Sequence, residues 1–316
     1  MDRKIKLADL KSVVSQAYDK LKNDTKGQAD PRVADMNPGK FGISVRLADG
    51  TKFDVGDTQA QFAMGALVRI PVMVQLLTQM RVEELVQKMG IAKCGCKCHG
   101  KPKDNGQQDK PKAHHKMALR SVSMVEPTGD PEGKMDIISN MMIGMMGSSP
   151  VLDDNLYKAA EKANAERDAV NALAAADFEL YDAAAPTIDL YLKLRSMLVT
   201  TEQLAEMGAT IAADGVNPVT NQIVFDGSIS STICAIMAAK GPKKMGRPWL
   251  IMTGTPAMSG FGGGFVAVLP GVGSIAAFSP ELNEAGIPIK AALSIKDILD
   301  QLQLSAFSSA KVEFVD

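Results

Sequence analysis

Leu7, Leu10, Val13, Val14, Tyr18 and Leu21 recur at three- and four-residue intervals, which predicts a helix over residues 7–21. After a polar stretch from Asn23 to Asp30, Phe41–Leu47 alternates apolar with other residues, turns at Asp49-Gly50 and continues as Lys52–Val55. Asp-Gly supplies the positive φ angles of a tight turn, so this segment predicts a β-hairpin. An apolar helix is expected from Ala63 to Met89, kinked at Pro71, where the ring removes an N–H. Ser139–Pro150 is rich in methionine and glycine. Helical spacing returns over Leu156–Phe178 and again over Thr187–Val199. Thr200 and Gln203 form a capping box for a helix over 201–213, closed by Gly215. Gly264–Leu269 and Ser274–Phe278 read as strands joined at Pro270-Gly271, and Ser294–Leu302 as the final helix.

Strands near both ends with helices between them predict an α+β fold, an antiparallel sheet flanked by helices plus a helical subdomain. The expected division is a sheet subdomain over 1–62 and 220–316 and a helical subdomain over 63–219. Lys93–Lys116 interrupts the pattern: seven lysines, all three histidines and Cys94, Cys96 and Cys98, without hydrophobic periodicity. It reads as an insertion at 91–117. Alternating cysteines do not pair readily in an unstrained disulfide. With His99 beside them they make a candidate zinc or copper(I) site, although C-x-C-x-C is not the usual C-x-x-C knuckle. No other cofactor is expected.

With 35 basic and 36 acidic residues the net charge is −1, which gives no reason to expect nucleic acid or an acidic membrane as partner. No apolar run approaches the roughly 18 residues of a membrane helix. Met1–Asp24 is charged throughout and lacks a signal peptide's apolar stretch, so the expected location is the cytoplasm.

Several blocks carry a resemblance. Ile188-Asp-Leu-Tyr-Leu-Lys-Leu-Arg-Ser-Met-Leu-Val-Thr, followed by Gly215-Val-Asn-Pro-Val-Thr, is similar to L-D-x-Y-F-x-x-C-S-x-x-V-T…G-V-N-P-x-T of the bacterial and mitochondrial glutaminases. Pro256-Ala-Met-Ser-Gly-Phe-Gly-Gly-Gly resembles their P-A-K-S-G-V-G-G-G. Phe41-Gly-Ile-Ser-Val, Val55-Gly-Asp and Val125-Glu-Pro-Thr-Gly-Asp fit earlier motifs. The ordered set spans about residues 27 to 305. It implies the serine β-lactamase-like glutaminase fold, a cleft between sheet and helices, an amino-acid ligand, and a homodimer or homotetramer.

The resemblance also implies where the chemistry should lie. The family hydrolyses glutamine with an S-x-x-K pair, in which a neutral amine accepts the hydroxyl proton. Where the family reads F-S-I-Q-S-I-S-K, this chain reads Phe62-Ala-Met-Gly-Ala-Leu-Val-Arg, with Ala66 at the nucleophile and Arg69 at the base. Alanine cannot attack a carbonyl, and arginine stays protonated at any accessible pH. Residues 63–69 contain no serine, threonine, cysteine or lysine, so a small shift in alignment does not restore the pair. Met258 stands at the lysine of P-A-K-S-G, Met237 at a tyrosine, Ala29 at the tyrosine of Y-I-P, and Ser139 at a substrate-binding asparagine, with Asn140 one residue away. Glu161, at the amine-binding position, and Tyr191 persist. Asp168 lies seven residues after Glu161 and so on the same helical face. The backbone N–H groups of Ala66 and Phe261 are the implied oxyanion donors.

The expectation is therefore a catalytically degenerate glutaminase homologue with a small-molecule site. Two alternatives stand beside it: an amidohydrolase using Ser259 or Ser139, and a metal-binding or redox role of the insertion. Glu161 and Asp168 also fit ordinary solvated helix charges, and Tyr191 a packed aromatic. Arg69 could form an ion pair with one of those carboxylates and close the pocket electrostatically.

Overall fold

The computed structural model describes residues 3–89, 113–163, 180–242 and 245–316, with the backbone alone for 113–116. Five antiparallel strands form its central sheet, in the order Lys52–Gly56, Gly42–Leu47, Gly273–Phe278, Gly264–Leu269, Ala257–Ser259. Ile275 at the centre stands opposite Val45 on one side and Ala267 on the other. Because side chains alternate along a strand, this register sorts them by face. Ile43, Val45, Phe265, Ala267, Ile275 and Ala277 join a core with the helices Leu7–Leu21 and Ile289–Gln301. Val266, Val268, Ala276, Phe278 and Met258 join a second, larger core on the other face.

The larger core belongs to the helices. Thr201–Ala212 lies directly on the sheet, started by the expected capping box: Gln203 N–H donates to Thr200 Oγ1, and Thr200 N–H to Gln203 Oε1. Gly208 allows the close approach, since a Cβ there would come within 2.7 Å of Ser274 Cβ. Behind it stand Pro131–Met146, Arg69–Gln79 and Ala184–Arg195. The methionines of the Met/Gly-rich stretch, Met141, Met142, Met145 and Met146, are buried there, and Gly147 ends that helix at φ 71°.

Helix limits depart from the periodicity in three places. Pro71 does not kink a long helix. A 3-10 turn over Gly65–Val68 precedes Arg69–Gln79, so Pro71 sits in the first turn, where no intrahelical N–H bond is due. The break falls at Met80, whose extended backbone separates Val82–Lys88. Thr187–Val199 divides into the helix Ala184–Arg195 and the strand Met197–Val199, which pairs with Phe62–Ala63 and Val151–Leu152. The last helix begins at Ile289, after Pro288. Of Leu156–Phe178, the described part is helical over Asp154–Lys162 and the rest lies outside the described residues. No helix among the described residues is long and apolar enough to cross a membrane.

Polar groups also hold sheet to helix: Ser274 Oγ donates to Ala205 O, and a buried cation reaches the same helix. Arg46 points from its strand toward Thr201–Ala212, 1% exposed, with Asp54 at 2.7 Å, Glu202 at 3.3 Å and Glu206 at 3.6 Å. Burial raises the Glu206 carboxyl above its ordinary range, with Arg46 opposing the shift. Replacing Arg46 by leucine strands these carboxylates and should destabilise the fold by about 3–5 kcal/mol, read from urea denaturation midpoints. Cys234 is buried in the larger core, and burial, aided by Asp214, pushes its thiol up to about 11. Its thiolate fraction is then negligible at pH 8. Iodoacetamide should label the Cys234 peptide in urea and leave it unlabelled in the native protein until the pH approaches that value, as checked by peptide mass spectrometry.

Candidate functional site

The turn at Gly65–Val68 is fixed from three sides. Phe62 stacks on Phe278 of the sheet with centroids 4.6 Å apart. Met64 N–H donates to Met197 O at 2.8 Å. The glycine loop after Ala257–Ser259 presses onto the same segment: a Cβ on Gly262 would lie 2.1 Å from Ala63 O, and one on Gly260 2.6 Å from Met64 O. Only glycine permits such contact. Gly65 itself has φ 53°, and the Phe261 ring lies where its Cβ would be, 2.5 Å from that point.

Ala66 and Arg69, three residues apart, share one face of this turn, and both are partly exposed. Burial pushes the Arg69 guanidinium below its usual range, and Tyr191 opposes the shift. No carboxylate contributes to its surroundings among the described residues. The expected ion pair with Glu161 is therefore not formed. Glu161 is exposed in the last turn of its own helix, beside Tyr157. The Tyr157 hydroxyl donates to Asp189, which, with burial, pushes it up to about 12. Asp168 lies outside the described residues, as do Cys94, Cys96, Cys98 and His99.

Tyr191 is buried. Arg195, one turn later, is buried too, its guanidinium 5.5 Å from the Tyr191 centroid and 5.2 Å from that of Phe261. Arg32 lies 3.8 Å from the Phe261 centroid, held by Asp30 through Nε–Oδ1 at 2.8 Å and Nη2–Oδ2 at 2.7 Å. Phe261 also packs with Val33, Ala63 and Leu156. The structure thus brings Ala66, Arg69, Tyr191 and Phe261 together and adds two arginines that the sequence reading passed over. Arg195 carried a signal, because it occupies the cysteine of L-D-x-Y-F-x-x-C-S. Arg32 carried none.

The other candidates fall elsewhere. Ser139 is partly exposed and Asn140 exposed, on a helix whose neighbouring Ile138, Met141 and Met142 fill the core. Neither is hydrogen-bonded to the group around Ala66 among the described residues. Met237 and Met258 are buried in the larger core with Tyr191, thioethers at positions where the resemblance implies a phenol and an amine, respectively. Ser259 stands opposite Phe265, so it faces the other core, on the far side of the sheet from Met258. Ala29 pairs with Glu281 in a short two-stranded sheet. The Ala66 and Phe261 N–H groups make no hydrogen bond among the described residues. Phe261 N lies 3.3 Å from the position a Gly65 Cβ would take, so one of these donors sits against the turn that carries the other.

The Glutaminase family model matches residues 27–307. A glutaminase of Bacteroides thetaiotaomicron is 37% identical and one of Parabacteroides distasonis 35%, each over the full length of both chains. Among solved structures, the probable glutaminase ybaS superposes with a TM-score of 0.85 at 26% identity, covering 96% of this chain and 100% of that one. The Bacillus subtilis glutaminase in its covalent complex with 5-oxo-L-norleucine superposes at 0.79 and 21% identity, over 95% and 99%. With the family matched along most of its length and the architecture shared with solved members, the chain belongs to the glutaminase family and has its serine β-lactamase-like fold.

Proposed function

We propose that this chain is a catalytically degenerate glutaminase that keeps a small-molecule site but does not hydrolyse glutamine. The observation that carries the reading is the pair Ala66 and Arg69 on one face of the turn beneath Phe261. Acyl transfer needs a nucleophile whose proton passes to a neighbouring base. A methyl group has no proton to give and no lone pair to attack with, and a guanidinium has no lone pair free to accept one. Met258 and Met237 supply no substitute amine or phenol. An amidohydrolase built on Ser259 is disfavoured, because that hydroxyl is buried on the opposite face of the sheet without a hydrogen-bond partner.

Backbone donors alone can leave about a thousandfold advantage over water, far below a working enzyme. Purified protein incubated with L-glutamine should release ammonia no faster than a buffer blank over hours. Ala66→Ser should remain inactive, because Arg69 still cannot take the hydroxyl proton. Turnover at or above about 1 s⁻¹ by the unaltered chain, measured by coupled ammonia assay, refutes the reading.

A further inference from the structure

The charges at the junction between the sheet and the helix Thr201–Ala212 do not balance. Asp54, on the neighbouring strand, takes the short contact with Arg46 through Nη1 at 2.7 Å. Glu202 lies 3.3 Å from Nη2 and also accepts from Thr58 Oγ1 and Gln59 Nε2, just before Phe62. Glu206, one turn further along the helix, is 3.6 Å from Nε, longer than a hydrogen bond, and Nε has no hydrogen-bond partner. Lys52, paired with Arg46 across the strands, also acts on Glu206. Two cations, Arg46 and Lys52, then face three carboxylates, Asp54, Glu202 and Glu206.

Geometry singles out Glu206 as the surplus carboxylate. Its side chain is 13% exposed, against 26% for Glu202 and 31% for Asp54. Its Oε2 lies 2.9 Å from where a Gly147 Cβ would be, at the end of Pro131–Met146. The nearby Asn217 amide already donates to Gly144 O and Met145 O. A carboxyl group buried without a short donor contact is disfavoured as an anion and gains by holding a proton. Burial accordingly raises the Glu206 carboxyl above its ordinary range, with Arg46 and Lys52 opposing the shift and Glu202 adding to it.

We propose that this junction is a proton-sensitive joint, in which a proton on Glu206 tightens the seating of Thr201–Ala212 on the sheet and its loss at higher pH loosens it. The protonated side chain leaves Arg46 to Asp54 and Glu202. It also removes repulsion between Glu202 and Glu206, four residues apart on one helical face. A carboxyl that binds its proton more tightly in the folded chain than in the unfolded one stabilises fully below the ordinary carboxyl range. That stabilisation is lost as pH rises through the raised folded value.

Urea denaturation of the unaltered protein and of Glu206→Gln, from about pH 4 to about pH 8, tests it. Glutamine keeps the shape and stays neutral throughout, so the other titrating groups cancel in the comparison. The unfolding constant of the unaltered protein, divided by that of Glu206→Gln, should rise about threefold or more across that range. Carboxyl-carbon NMR of protein carrying isotope-labelled glutamate gives a second readout, which stands even where the variant does not fold. The Glu206 resonance should titrate above the ordinary glutamate range. A ratio that stays constant or falls with rising pH, or a Glu206 resonance that titrates within or below that range, overturns the proposal.

Discussion

The turn at Gly65–Val68 depends on backbone packed directly against backbone. The loop Gly260–Gly264 meets Ala63 and Met64 so closely that no side chain fits between them, and Gly65 yields its own Cβ position to the Phe261 ring. Phe62 on Phe278 and the Met64–Met197 hydrogen bond fix the same segment from the sheet and from the small three-stranded unit. These contacts involve glycines, the carbonyl groups of Ala63 and Met64, and apolar rings, none of which is a nucleophile or a base. This frame is therefore independent of which side chains occupy positions 66 and 69.

What fills that frame is chemically coherent. A methyl group at Ala66 and thioethers at Met237 and Met258 stand where the resemblance implies polar side chains, and Arg69 is non-titrating at neutral pH. Loss of a single group would read as a lesion. Here the resemblance puts Ala66, Arg69 and Met258 at the nucleophile, base and supporting amine together, while both faces of the sheet carry a buried core, with Arg46 tying the sheet to Thr201–Ala212.

Much of this was legible in the residues. Asp49-Gly50, Pro270-Gly271 and the Thr200–Gln203 box are local signals whose physics is complete within a few residues, and each appears where expected. Pro71 misled because its effect depends on where the helix begins, which is set by the Gly65 turn and by contacts far away in sequence. Thr187–Val199 misled because apolar spacing continues through Arg195 into a strand, and only the pairing of Met197–Val199 with Phe62–Ala63 ends the helix. Within the site, Ala66, Arg69, Tyr191 and Phe261 were found through ordered motifs. The conjunction of Arg32 and Arg195 on one ring joins segments more than 160 residues apart, which no local pattern encodes. Glu161 is exposed in the last turn of Asp154–Lys162, which agrees with the solvated helix charge that its spacing also allowed.

The central claim is that no nucleophile stands in this cleft, and a covalent probe addresses it without relying on turnover. 6-Diazo-5-oxo-L-norleucine forms a covalent complex with the Bacillus subtilis glutaminase whose fold this chain shares. Intact-mass spectrometry of this protein after prolonged exposure to the reagent should show the unmodified mass alone. A stoichiometric adduct of the 5-oxo-L-norleucine moiety, mapped to a residue lining the turn at Gly65–Val68, would contradict the account.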